Sequence, residues 1–211
     1  MEAIRVAPLA KTSQQAAILP YIADWFVLAL GTSLSGCLDN VPSSTVLIAG
    51  AVVPSAIYFG LYFGSAGFRR RVLGLDLRAV TLVQILRMVG SFAFLEYRWG
   101  NLPGIYAVTT GVTDITFGLT SYYVAGRRRG IVYWHALGVF AQMISGGLGI
   151  LTSGTELGLL AGGVTSQAMS EFPLSLVPLF FGPVTLIFHL IAFCILRNRP
   201  DRIRTVQSRR A

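Results

Sequence analysis

Charge is what this sequence is shortest of: 12% of its 211 residues are Asp, Glu, Lys or Arg, about half the share that soluble domains carry. Cysteine and histidine are sparse as well, at two of each. Cys37 and Cys194 form neither a disulfide framework nor a metal-ligand spacing, and each reads as a small apolar packing residue. A phosphate-binding glycine-rich loop, an HExxH, a CxxC, a paired-aspartate prenyltransferase motif and a serine nucleophile elbow are all missing. Two histidines also exclude the four-histidine set of a two-haem cytochrome.

What the chain has instead is apolar length. Hydrophobic residues make up 54% of it, and mean hydropathy is +0.65. A membrane helix needs about 20 mostly apolar residues, and six stretches qualify: roughly 19–38, 45–63, 79–97, 103–125, 131–151 and 173–196. Pro42 and Pro103 lie at or near helix starts, where a missing N–H does no harm. Gly100, Gly126 and Gly130 fall in short turns, and the only long connection is 152–171. The expected fold is an all-α, polytopic membrane helix bundle of six transmembrane helices. A cytoplasmic N-terminus, 1–18, precedes the transmembrane domain, 19–196, and a basic cytoplasmic tail, 197–211, follows it.

The position of the basic residues orients that bundle. Arg5 and Lys11 precede the first stretch. Arg69, Arg70, Arg71 and Arg78 follow the second, Arg127, Arg128 and Arg129 the fourth, and Arg197, Arg199, Arg202, Arg204, Arg209 and Arg210 the sixth. Arg98 alone falls on the other side, and Arg87 lies within a stretch. Such a bias is what the positive-inside rule gives for an even number of spans with both termini inside. The net charge of +8 is therefore read as topogenic, and the expected partner is the lipid bilayer rather than nucleic acid. One N-terminal alternative stands beside this: Leu34-Ser35-Gly36-Cys37 resembles a bacterial lipoprotein cleavage box, although Pro20, Asp24 and the length of the preceding segment suit a span better.

Ionisable groups inside spans are costly and often mark function. Arg87 lies about 12 Å from the cytoplasmic end of the third stretch and Asp114 about 16 Å from that of the fourth, at 1.5 Å per residue. The short turn 100–102 makes these two stretches antiparallel neighbours, so an Arg87–Asp114 ion pair is expected. Gln84, Arg87 and Ser91 share one helical stripe; Thr110, Gly111, Asp114, Gly118 and Ser121 share another, whose small residues permit close approach. The pair either fixes packing or belongs to a proton, anion or headgroup site, with Gln84, Ser91, Thr110 and His189 as further candidates. His135 and His189 lie at about 7 and 12 Å on the fifth and sixth stretches. Two imidazoles on neighbouring helices leave a metal or haem b open, with Asp114 as the one third ligand in reach, or each simply hydrogen-bonds a neighbouring helix. Asp24 and Glu96, the latter with Arg98, read as interfacial and rim charges. Pro173, Pro178 and Pro183 bend the last stretch and free backbone carbonyls, which suits a cavity wall. The polar residues gather toward the cytoplasmic half, so a pocket would open inward.

The runs Arg87-Met-Val-Gly90, Gly100-Asn-Leu-Pro103 and Gly111-Val-Thr-Asp114, with Phe172-Pro-Leu-Ser-Leu-Val-Pro178 and His189, resemble a loose group of uncharacterised bacterial multi-pass membrane proteins. The resemblance covers roughly 87–196, implies a bacterial inner membrane and brings no activity with it. It points to Arg87, Asp114 and His189; where this chain has His135, the group carries asparagine. The residues favour a small-solute or proton-coupled transporter, with a homodimer expected because six helices are few for a carrier. A structural or assembly subunit of a membrane complex and a membrane enzyme or haem- or metal-binding redox protein are the alternatives.

Overall fold

The structure, a computed structural model, describes residues 18–127 and 129–198. Most of the N-terminal segment and of the basic tail, 1–17 and 199–211, lies outside the described residues. The described chain is all-α, without a strand.

Helix α1 (Leu19–Leu34) leads through a turn to α2 (Ser43–Gly64) and the short basic helix α3 (Ala66–Leu73). A continuous helical rod then runs from Leu77 to Arg98 in three windings: α4 (Leu77–Leu82), a 3₁₀ segment (Val83–Ser91) and α5 (Phe92–Arg98). Helices α6 (Gly104–Val124) and α7 (Ile131–Leu151) follow. After a long loop holding a short 3₁₀ turn (Ser166–Ser170), a π segment (Val177–Phe181) opens the last rod and α8 (Gly182–Arg197) completes it. Four of these rods, Ser43–Gly64, Leu77–Arg98, Ile131–Leu151 and Val177–Arg197, are long and apolar enough to cross a membrane. In α2 and α7 only 22% of the apolar window is buried. Their outward faces carry Ile48, Val52, Val53, Ile57, Leu137, Phe140 and Met143. An apolar surface of that extent is untenable in water; in lipid it is the expected state.

The boundaries differ from the sequence expectation mainly at the last rod. It begins at Val177 rather than 173, because residues 172–175, which include the cis Phe172–Pro173 bond, form a turn. The first helix ends at Leu34, four residues short of the expected 38.

The prolines act as their chemistry dictates. Pro183 has no N–H to offer the carbonyl of Leu179, four residues back. That carbonyl accepts instead from Trp25 Nε1 of α1 at 3.0 Å, so α1 is pinned to the bend. At the same place α2 comes backbone to backbone with the π segment: a Cβ on Gly50 would lie 2.1 Å from the Pro178 carbonyl oxygen. The long loop folds back over this end of the bundle. Ser166 donates to Gly149 O at 2.6 Å, Gln167 accepts from Ser43 N at 3.2 Å and donates to Val41 O at 2.9 Å, and the hydroxyls of Ser33 and Ser175 are hydrogen-bonded. At the opposite end Val72, Leu75, Tyr58, Tyr62, Ile191 and Ile195 form the apolar core under α3.

Candidate functional site

The 3₁₀ winding decides which side chains of the third rod face inward. In a 3₁₀ helix residues i and i+3 eclipse, and the buried positions run Thr81, Gln84, Arg87, Gly90, Ala93. Ser91, placed on this stripe by a 3.6-residue period, turns aside and is half-buried; Gly90 takes its place. Nine residues is long for a 3₁₀ run, which usually stops after three or four. The partner is α6, and contact is close: a Cβ on Gly90 would lie 2.1 Å from Asp114 Oδ2, one on Gly111 2.6 Å from Phe94, and one on Gly118 2.8 Å from Met88.

Across that contact Arg87 meets Asp114. Nε and Nη2 of the guanidinium straddle one carboxylate oxygen, Oδ1, at 2.8 and 2.7 Å. Nη1 donates to the carbonyl of Gly138 on α7 at 3.3 Å. The guanidinium carbon stands 4.6 Å from the centre of the Phe117 ring, a cation–π position. Arg87 is almost fully buried, while 15% of the Asp114 side chain is accessible. Burying two charges costs several kcal/mol each unless the geometry is good and the remaining protons are satisfied; the carbonyl and the ring supply part of that here, and Nη2, in ion-pair contact with Oδ1, has no hydrogen-bond partner among the described residues.

His135 and His189 also meet. Their Nδ1 atoms lie 2.7 Å apart, and both rings are fully buried. Thr81 donates to Leu77 O at 2.8 Å and lies 3.2 Å from His135 Nε2. With the Thr81 proton on that carbonyl, His135 donates from Nε2 and accepts at Nδ1 from His189, so His189 Nε2 carries a bare lone pair. It has no hydrogen-bond partner among the described residues. Gly138 makes room for the ring: a Cβ there would lie 2.3 Å from His189 Cε1. The Nδ1 separation is that of a hydrogen bond; two nitrogens on one tetrahedral zinc, each at about 2.0–2.1 Å, stand roughly 3.4 Å apart. Among the described residues no three of His, Cys, Asp and Glu are grouped to hold a metal ion. Asp114, the third ligand considered from sequence, is engaged by Arg87 instead.

A residue that sequence reasoning passed over adds to the polar interior. Gln142, one turn beyond Gly138 on α7, donates from Nε2 to Gly182 O at 3.1 Å and to Thr185 Oγ1 at 2.6 Å. Gln84 donates to Thr185 O at 2.9 Å. Both amides thus steady the carbonyls of the proline-bent rod, and both leave their Oε1 unpaired. An amide in the middle of the apolar stretch 131–151 was the available signal. The hydroxyl of Ser145 is likewise buried without a partner, and that of Thr110 is buried beside Tyr106. Polar side chains therefore form a column from Thr81 and His135, past His189 and the ion pair, to Gln142, Thr110 and Ser145.

Beside this column lies a cavity of about 380 Å³, bounded by α2, α6, α7 and the last rod. Asp114, Thr110, Gln142 and Ser145 supply its polar lining; Val52 and Met143, both exposed, lie at its margin.

Among the described residues the chain is all-α, with four rods apolar enough to span a bilayer around an arginine–aspartate pair and a row of buried polar atoms, and this is the build of an integral membrane protein. Residues 43–197 match the family described as a domain of unknown function, DUF8737, and the chain belongs to that family. The match takes in every residue of the column and leaves out α1. No curated protein and no solved structure matches the chain.

Proposed function

We propose that this is a six-span protein of a bacterial inner membrane, with both termini cytoplasmic, that passes a small solute or protons through the polar column. Two features support spans beyond the four apolar rods. Helix α6 is rich in threonine, yet Thr113, Thr116, Thr120 and Ser121 donate back to carbonyls three or four residues earlier, at 2.6–2.9 Å. Hydroxyls satisfied within their own helix are tolerated in lipid. Helix α1 has 16 residues, about 24 Å at the α-helical rise, and runs on into the turn before Ser43. Orientation follows from the basic residues. Arg69, Arg70, Arg71, Arg78, Arg127, Arg129 and Arg197 stand at helix ends that share one side of an up-and-down bundle, whereas Arg98 stands at the other.

The observation that carries a transport role is the run of orphaned atoms along the column: Gln84 Oε1, Gln142 Oε1, Ser145 Oγ and His189 Nε2. Roughly 90% or more of buried polar groups in folded proteins have partners, and a device that only held helices together gains nothing from four in one row that do not. They are places for a passing proton, water or solute to bind. The test is flux into proteoliposomes loaded with a pH-sensitive dye, for protons and for a panel of small solutes. A folded Asp114→Asn protein should lose flux at least tenfold, and the rim variant Arg98→Gln should keep it. Unchanged flux through Asp114→Asn would leave the ion pair with a packing role only, as an assembly subunit would have.

A further inference from the structure

We infer that the cavity beside Asp114 takes its ligand from the bilayer, and that the ligand is a neutral amphiphile with a hydroxyl head. The inference deepens the solute-site reading above and rests on it for the role of the polar column. Its support is the gradient along the cavity wall. At one end stand the hydroxyls of Thr110 and Ser145, both more than nine-tenths buried and the second without a partner, together with the unpaired Gln142 Oε1 and the accessible side of Asp114. At the other end the wall is Ile48, Val52 and Met143, which are exposed between α2 and α7. Those two helices show most of their apolar surface to the outside, so the opening faces lipid tails and not water. Gly146 and Gly147 keep it open: a Cβ on either would meet no atom within 4 Å.

The lining then selects the head group. Gln142 Nε2 is committed to Gly182 O and Thr185, so the amide presents its oxygen. Asp114 presents a carboxylate whose charge Arg87 already balances. With Thr110 and Ser145, which both donate and accept, the floor is rich in acceptors and close to neutral overall. A hydroxyl satisfies it, because it gives a proton to Gln142 or Asp114 and accepts one from Ser145 or Thr110. A carboxylate would bring a second negative charge against Asp114, and a bare hydrocarbon would leave Gln142 Oε1 and Ser145 Oγ unpaired. The volume is at the lower end of the roughly 300–1,000 Å³ common for small-molecule sites, enough for a head and part of one chain while the remainder lies among lipid.

The experiment uses the full chain in nanodiscs, irradiated with diazirine-bearing dodecanol, dodecanoate and dodecane, and the labelled residues mapped by mass spectrometry. The alcohol should label α7 around Met143, and unlabelled dodecanol should compete where dodecane does not. Thr110→Val with Ser145→Ala should lower that labelling about tenfold, the worth of two lost hydrogen bonds. Gly146→Leu, whose Cβ meets no atom within 4 Å and whose side chain fills the opening, should abolish it. Equal labelling by dodecane or dodecanoate, or alcohol labelling indifferent to these variants, would overturn the inference and leave a groove filled by ordinary acyl chains. Asp114-dependent flux without alcohol labelling would sink the ligand class alone, and alcohol labelling without flux would support it while sinking transport.

Discussion

Gly90 has no side chain because Asp114 stands where one would go, and this makes Gly90→Ala the most exacting test of how the site is held. The added Cβ would lie 2.1 Å from Asp114 Oδ2, 2.7 Å from Cγ and 2.5 Å from Asp114 Cβ. A carboxylate oxygen can swing away, but Cβ is fixed to the backbone of α6. Restoring a carbon–carbon contact of about 3.5–4.0 Å therefore requires the two helices to part by at least about 1 Å. The Arg87 Nε to Asp114 Oδ1 distance of 2.8 Å would then pass beyond hydrogen-bonding range, roughly 3.2 Å for such donors. Overpacking alone costs about 1–3 kcal/mol, and losing a hydrogen bond between charged groups about 1.5–3 kcal/mol. The expected loss is about 3–6 kcal/mol. At about 2–4 °C per kcal/mol for a chain of this size, the melting temperature should fall by roughly 6–24 °C. The assay is thermal unfolding of detergent-solubilised protein, read by tryptophan fluorescence, with Gly146→Ala as the control that meets nothing. The same substitution in an Arg87→Met, Asp114→Gly background, where both the obstacle and the pair are gone, should cost less than about 1 kcal/mol, as a double-mutant cycle requires of coupled sites. A Gly90→Ala protein as stable as the parent would refute the close approach of the third rod and α6, and with it the reason for the 3₁₀ winding.

Three further outcomes are expected. Asp114→Asn should destabilise by about 3–5 kcal/mol by leaving Arg87 buried without its counter-charge, whereas Arg87→Met with Asp114→Leu should lie within about 1 kcal/mol of the parent or above it; equal melting of the single and double variants would show that the pair is solvated. Gly138→Ala should cost about 1–3 kcal/mol by driving a methyl group into the His189 ring, and His189→Ser should recover most of that loss in the same unfolding assay; no recovery would mean that the ring is not the obstacle. Single cysteines at Arg127 and at Gly162, in a Cys37→Ser, Cys194→Ser background, should be labelled by an impermeant maleimide from opposite faces of sealed vesicles, and labelling from one face would remove the six-span arrangement.

How far the site could be read from sequence varied with the kind of information needed. That Arg87 and Asp114 lie near each other was legible: a three-residue turn leaves adjacent helices no choice but to run antiparallel, and a charge at that depth needs an opposite one. That His135 and His189 share a hydrogen bond was not, because their spacing gives depth and says nothing of which faces meet. Ser91 was misplaced and Gly90 overlooked for one reason: the period in that segment is 3, not 3.6, and the shorter period comes from packing against α6. Gln142 went unremarked among apolar neighbours, although an amide inside a span always needs partners.

Composition by itself determined the solvent. So little charge and so much apolar length commit the chain to helices and to lipid, since only a segment that satisfies its own backbone can lie among acyl chains. The scatter of arginines along the chain carried the expected orientation as well, for it depends on order in the sequence alone. The rotation of each helix about its axis was decided elsewhere, by glycines that let one backbone approach another and by prolines whose freed carbonyls recruit Trp25 across the bundle. Those rotations turn Gln142, Ser145 and Thr110 toward one cavity and open it between α2 and α7. They are properties of contacts between helices, which no single helix encodes.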